Sequence, residues 1–170
     1  KNVIEIGPGK GALTKEILKK KPKSLFLIEK DNVLANDLRK EYFKNKLVKI
    51  VNNDVLKLNL EKVLKKNSLI IGNLPYNISS QILVKFIKLQ KWPPNYTDLI
   101  FMFQKELGEK ILGQFQSKDY SRLSILTNYK LKSKKKFFVT NNCFFPRPKV
   151  KSVVIHFNPI IKKFFKIKNI

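Results

Sequence analysis

An asparagine, a turn-forcing proline and an aromatic ring stand together in Asn73-Leu74-Pro75-Tyr76, directly after the apolar run Leu69-Ile70-Ile71. Pro75 fixes its own φ and pushes Leu74 out of the helical region, so the chain must turn sharply off a strand end. The Asn73 amide, the Leu74 carbonyl and the Tyr76 ring form a receptor for a planar, amine-bearing molecule such as a nucleobase. Ligands of open α/β sheets bind beyond the carboxyl ends of the strands, which is where these groups would stand. The same tetrapeptide also reads as an ordinary strand-loop-helix joint with a buried tyrosine. Ser79 or Ser80 is placed to cap a helix over Gln81-Ile82-Leu83-Val84-Lys85-Phe86-Ile87.

A second set of residues lies nearer the start. Gly7, Gly9 and Gly11 follow the short strand Val3-Ile4-Glu5-Ile6 and let backbone approach a ligand closely. Glu29 ends a second apolar strand about 20 residues later, where a carboxylate accepts hydrogen bonds from ribose hydroxyls. Gly7-Pro8-Gly9-Lys10-Gly11-Ala12 also reads as a dinucleotide fingerprint, so a nicotinamide-dependent oxidoreductase is a rival. Asp54, after a third strand, tips the balance. It adds an acceptor for an adenine amino group, and the order suits S-adenosylmethionine plus a second nucleobase. As purely structural groups, Glu29 and Asp54 would be helix caps.

The elements that must position these residues alternate. Strands are expected at Val3-Ile4-Glu5-Ile6, Leu25-Phe26-Leu27-Ile28, Leu47-Val48-Lys49-Ile50-Val51, the run before Asn73, and Asp98-Leu99-Ile100-Phe101-Met102-Phe103. Helices fall at 12–20, at about 33–42, after Ser79, and from Lys105 onward. That rhythm predicts a parallel sheet with helices on both faces. A helix over 122–129 and strands at 136–139 and 150–157 follow, with no helix between the two strands. The sheet should therefore end in an antiparallel pair.

The chain of 170 residues carries 36 Lys+Arg against 12 Asp+Glu, a formal charge of +24 that favours a polyanion partner. AT-biased coding would inflate lysine everywhere, and Lys134-Lys135-Lys136 also reads as a solvated hairpin. Cys143 is the one cysteine, which excludes an internal disulfide. The one histidine, His156, has no Cys or His neighbours and reads as a satisfied strand residue, so no metal site is expected. No apolar run reaches the length of a membrane span. The chain begins without Met, almost inside a strand, so an N-terminal segment and any targeting signal are expected to be missing.

Several blocks together resemble the KsgA-type rRNA adenine dimethyltransferases, from Glu5-Ile6-Gly7-Pro8-Gly9 to Phe157. They are Gly72-Asn73-Leu74-Pro75-Tyr76-Asn77-Ile78-Ser79, Phe101-Met102-Phe103-Gln104-Lys105-Glu106, Tyr120-Ser121-Arg122-Leu123-Ser124 and Phe144-Phe145-Pro146-Arg147-Pro148-Lys149-Val150-Lys151-Ser152. The related Erm methyltransferases share the first and last of these, but usually carry Ile where Leu74 stands and lack Gln104-Lys105-Glu106. The resemblance implies a Rossmann-like, seven-stranded methyltransferase domain over 1–158 that uses S-adenosylmethionine. Residues 159–170 would open a truncated helical domain. It places Gly7, Gly9, Glu29, Asp54 and Asn73 on the cofactor side.

Adenine's exocyclic amine is a poor nucleophile because its lone pair is conjugated into the ring. Asn73 and the Leu74 carbonyl can accept its hydrogens and turn that lone pair toward the methyl donor. Tyr76 would stack on the flipped base, and Phe144, at the family's Phe position, would give the other face. Phe144 also reads as core. Arg147, Lys149 and Lys151 are phosphate-contact candidates, or solvated lysines and arginine beside a strand. The implied partner is small-subunit rRNA or a pre-ribosomal particle, met by a monomeric, cytoplasmic enzyme; an organellar address stays open. An Erm-like large-subunit enzyme, a DNA amine methyltransferase and a nucleic-acid-binding assembly or transcription factor are the alternatives.

Overall fold

The computed structural model describes residues 1–144 and 150–161. Short runs of β-branched and aromatic residues form the strands, which lie in one seven-stranded sheet. The first half alternates β1 (Asn2–Ile6), α1 (Ala12–Lys19), β2 (Ser24–Glu29), α2 (Asn32–Tyr42), β3 (Val48–Asn52), α3 (Leu60–Val63) and β4 (Ser68–Asn73). The second half runs α4 (Ser79–Ile87), β5 (Tyr96–Gln104), α5 (Lys105–Leu112), α6 (Arg122–Lys130), β6 (Leu131–Val139) and β7 (Ser152–Pro159). Strand order is β3-β2-β1-β4-β5-β7-β6. The first five strands pair in parallel and β7 pairs antiparallel with both β5 and β6. The expected antiparallel end is thus present, with β7 inserted between β5 and β6.

Two apolar layers hold the sheet. On one face Phe86 of α4 packs with Tyr96, Leu99, Phe101 and Phe103 of β5 and with Val153, Ile155 and Phe157 of β7. Its rings meet edge-on, Phe86 to Tyr96 at 5.7 Å and Phe103 to Phe157 at 6.1 Å. A smaller cluster on the other face joins Val3, Leu25, Leu27 and Leu38. Helix starts are well specified where polar caps exist. Asp31 accepts from the Leu34 amide at 2.9 Å ahead of α2. Ser121 and Ser124 form a reciprocal capping box on α6. Ser121→Ala should therefore cost about 1 kcal/mol in urea unfolding. A change of only a few tenths would show that packing alone starts α6.

Three local expectations change. Ser79 is the first residue of α4 and caps no amide; its hydroxyl donates to the Tyr76 carbonyl at 3.0 Å. Ser80 lies inside α4. The lysines 134–136 belong to no hairpin turn but to β6, which starts at Leu131 and forms the sheet edge. Edge strands keep one side solvated, so β6 lacks an apolar period to read. His156 is satisfied as expected, its Nε2 bonded to Asp98 Oδ1 at 2.8 Å. No helix among the described residues is long and apolar enough to cross a membrane.

Candidate active site at the strand ends

The order β3-β2-β1-β4 brings four strand ends into one contiguous rim. In-register pairs across it include Glu29 with Asn52, Ile6 with Ile28, and Ile6 with Gly72. Neighbouring strands lie about 4.8 Å apart, so the rim is short enough for one ligand to touch all four.

After β1 the chain runs through Gly7 at φ 65°, Gly9 at φ 58° and Gly11 at φ 77°. Left-handed backbone at three of five positions is costly for any other residue type. Gly7 and Gly9 have nothing within 4 Å of where a Cβ would stand, so the turn faces open space. Gly11 instead fills a packing role, since a Cβ there would meet Leu38 at 3.3 Å.

Glu29 closes this turn. One carboxylate oxygen accepts from the Gly9 amide at 3.0 Å and the other from the Asp31 amide at 2.9 Å. The residue is 7% exposed, and each oxygen keeps a second lone pair for a ligand hydroxyl. Glu29 is not a helix cap; Asp31 has that task. Asn52 ties the neighbouring strand to this one, donating to the carbonyls of Glu29 at 3.0 Å and Lys30 at 3.1 Å.

Asp54 stands next along the rim, in a turn and not at a helix start. Its Oδ1 accepts from the Leu56 amide at 2.9 Å and its Oδ2 pairs with Lys30 Nζ at 3.0 Å. The Leu56 amide first, and then the Lys30 ammonium, hold this carboxyl below its ordinary range. It is an ionised acceptor at neutral pH. Lys85 of α4 donates to the Leu56 carbonyl at 2.5 Å, and so fixes the turn that carries Asp54.

At the end of β4 the backbone and side chains divide their tasks. Leu74 is 2% exposed and folds back over Gly72, where a Cβ would come within 2.7 Å of Leu74 Cδ2. That anchorage leaves Asn73 exposed, and its amide has no hydrogen-bond partner among the described residues. Pro75 and Tyr76 offer their carbonyls to Ile78 N at 3.1 Å and Ser79 Oγ at 3.0 Å, whereas no described backbone amide donates to the Leu74 carbonyl. The half-buried Tyr76 is fixed by a 2.6 Å hydrogen bond between its hydroxyl and Ser152 Oγ on β7.

Phe144 is half-buried just after a short 3-10 turn, Asn141–Cys143, and no ring contact joins it to Tyr76 among the described residues. Lys151 is exposed, and its carbonyl accepts from the Lys105 amide at 2.9 Å. Arg147 and Lys149 lie outside the described residues. No group of three or more Cys, His, Asp or Glu is placed to hold a metal ion among the described residues.

Glu5 was overlooked by sequence reasoning. It is 1% exposed beneath the glycine turn and accepts from Thr14 Oγ1 of α1 at 2.7 Å. Burial pushes its carboxyl up to about 7, against the Thr14 bond, and the Glu29 charge adds to the rise. A carboxylate in the middle of an apolar strand was the available signal.

A family model described as ribosomal RNA adenine dimethylase matches residues 1–170. The chain is 44% identical over 169 residues to ribosomal RNA small subunit methyltransferase A of Pelagibacter ubique, covering 99% of this chain and 63% of that protein. Among solved structures, a dimethyladenosine transferase from Plasmodium falciparum superposes with a TM-score of 0.81 at 30% identity. That match covers 94% of this chain and 56% of the other. The 23S rRNA methyltransferase ErmE gives 0.75 at 26% identity, over 95% and 62%. The chain thus spans less than two-thirds of the length of these relatives.

Proposed function

Since the chain belongs to the ribosomal RNA adenine dimethylase family, we propose that it is an rRNA adenine N-methyltransferase. It would transfer methyl groups from S-adenosylmethionine to the exocyclic amine of adenines in small-subunit rRNA. One observation carries the reading: the open glycine turn, Glu29, Asp54 and the Asn73-to-Tyr76 receptor share one rim in the strand order β3-β2-β1-β4. S-adenosylmethionine, when bound, supplies an electrophilic methyl group on a sulfonium.

The residues present fit that group. The open space over Gly7 and Gly9 admits a ligand against backbone, and the spare lone pairs of Glu29 suit two ribose hydroxyls. Asp54, held ionised, accepts from an adenine amino group. In calorimetry S-adenosylmethionine should bind, and Glu29→Ala should weaken it by about 10- to 100-fold, as expected for lost hydrogen bonds to a charged group. NAD binding at a site that Glu29→Ala destroys would refute the assignment.

The target adenine leaves its helix to reach the rim, and the fixed Tyr76 ring offers it a stacking face. Phe144 offers the second face. Asn73 Oδ1 and the Leu74 carbonyl accept the two amine hydrogens, which turns the nitrogen lone pair out of conjugation. Positioning supplies much of the rate, and no strong base is needed because the methylated amine sheds its proton readily.

The net charge of +24 supports an RNA partner. Affinity for rRNA should fall steeply with salt, and replacing Arg147, Lys149 and Lys151 together should flatten the slope by about 0.7–0.9 for each phosphate no longer neutralised. An unchanged slope would return those residues to plain solvation. The enzyme would work as a monomer on assembling small-subunit particles in the cytoplasm. The deciding assay measures labelled methyl transfer from S-adenosylmethionine to small-subunit rRNA, large-subunit rRNA, naked DNA and pre-ribosomal particles in parallel. Transfer to large-subunit rRNA or DNA alone would overturn the choice of substrate, and binding without transfer would favour an assembly factor.

A further inference from the structure

A cavity of about 270 Å³ opens at the same rim on the other side of β7, between α5, the loop 113–119 and β6. Successive residues of a strand point to opposite faces. Ser152 accordingly holds Tyr76 on one face, while its neighbour Val153 lines this cavity on the other. Phe138 pairs in register with Val153 and forms a wall of the cavity, although it is 47% exposed.

The lining has the composition of a base subsite. Phe138 offers a ring, and Lys135 holds its ammonium 4.5 Å from the centre of that ring. Gln114, Ser117 and Asp119 bring donors and acceptors from the loop, and Lys105 adds a second cation from the start of α5. Lys105 also pairs with Glu109 at 3.6 Å, a solvated ion pair that is weak enough to exchange. Lysines on an edge strand and the register shift after Lys135 are ordinary protection against edge pairing. That protection explains Lys132, Lys134 and Lys136. It does not explain an exposed phenylalanine facing a cavity that combines apolar walls with lysines, Gln114, Ser117 and Asp119. The connection from α5 to α6 carries a further exposed aromatic pair, Phe115 and Tyr120, with ring centres 5.7 Å apart.

We propose that this cavity is a subsite for one unstacked nucleotide flanking the target adenine, with Phe138 stacking on its base and Lys135 meeting its phosphate. The proposal rests on the reading of the chain as an RNA methyltransferase. It adds a second base-binding position across β7 from Tyr76. The ammonium now parked over Phe138 would exchange a weak cation–ring interaction for a phosphate, freeing the ring for a base.

The test compares Phe138→Ala, Phe138→Leu, Phe138→Trp and Lys135→Ala in filter binding to a small-subunit rRNA fragment and in methyl transfer to the same RNA. Phe138→Ala should weaken RNA binding, and raise KM for RNA, by about 5- to 100-fold, the span of one base-aromatic stack. Phe138→Leu keeps apolar bulk but no ring face and should weaken binding nearly as much, whereas Phe138→Trp should hold parental affinity. Lys135→Ala should reduce the salt slope by about 0.7–0.9, the share of one neutralised phosphate. S-adenosylmethionine affinity by calorimetry should stay constant throughout, showing that the domain is folded. Parental RNA affinity in both the Ala and Leu variants, or full rescue by Leu, overturns the subsite. A parent chain that binds rRNA without methylating it would sink the methyltransferase reading and leave the subsite to be judged on binding. A parent that does not bind rRNA sinks both.

Discussion

Asn73→Ala should lower kcat for methyl transfer by about 10²–10³-fold, the 2.7–4 kcal/mol typical of losing one preorganised polar group that acts in the transition state. RNA affinity should move far less. The reason is local. Leu74 is buried and folds over Gly72, so the backbone around position 73 keeps its place when the amide is removed. The Tyr76 ring also keeps its Ser152 anchor, so the base can still be stacked. On the proposed reaction, what disappears is the acceptor that would turn the amine's lone pair toward the methyl group. Turnover within a few-fold of the parent, measured with labelled S-adenosylmethionine at saturating RNA, would show that Asn73 does not orient the amine.

Glu5→Gln should stabilise the protein at pH 8 by about 2–3 kcal/mol and leave it nearly unchanged near pH 4.5. Burial raises the Glu5 carboxyl from 4.5 to about 7 in the folded chain. The folded state therefore holds this proton more tightly than the unfolded state does. Its contribution to stability is complete below about pH 4.5 and is lost as pH rises through about 7. Glutamine cannot ionise and still offers an oxygen to the Thr14 hydroxyl, so that window of pH dependence should vanish. Urea unfolding of parent and variant at both pH values reads the difference directly. Equal stabilities at pH 8 would mean that Glu5 ionises without cost.

Much of this architecture is legible in the residues alone. The apolar runs around Ile4, Leu27, Ile70 and Ile100 declare buried parallel strands, because both faces of such strands are covered. The run around Ile50 reads as a strand too, although β3 lies at the sheet edge with no fully buried residue. Glycines, Glu29, Asp54 and Asn73 then follow strand ends by simple counting. Partners contributed by distant elements are not legible in that way. Thr14 sits nine residues from Glu5, and Ser152 lies 76 residues from Tyr76, so neither bond has a local signature. Asn52 reads as the tail of a strand, yet its amide clips the end of β2. Helix α3 spans only Leu60–Val63, too short for a helical period to show. Lys132 to Lys136 hide the first half of β6, because an edge strand needs no apolar alternation on its solvated side.

The insertion of β7 between β5 and β6 bears on the order in which a growing chain can complete its strand-end rim. Synthesis delivers β1 through β5 first, and they can assemble their parallel pairs as they emerge. Strand β6 then arrives with no strand neighbour to bond, since its one partner among the described strands is β7, which follows it. Until β7 threads into the gap, β5 presents a bare edge and the Tyr76 hydroxyl lacks the Ser152 oxygen that fixes its ring. The glycine turn, Glu29 and Asp54 belong to the early half, whereas the Tyr76 ring gains its anchor only from β7. On the proposed reading, an unfinished chain could therefore hold a methyl donor without yet holding anything to methylate.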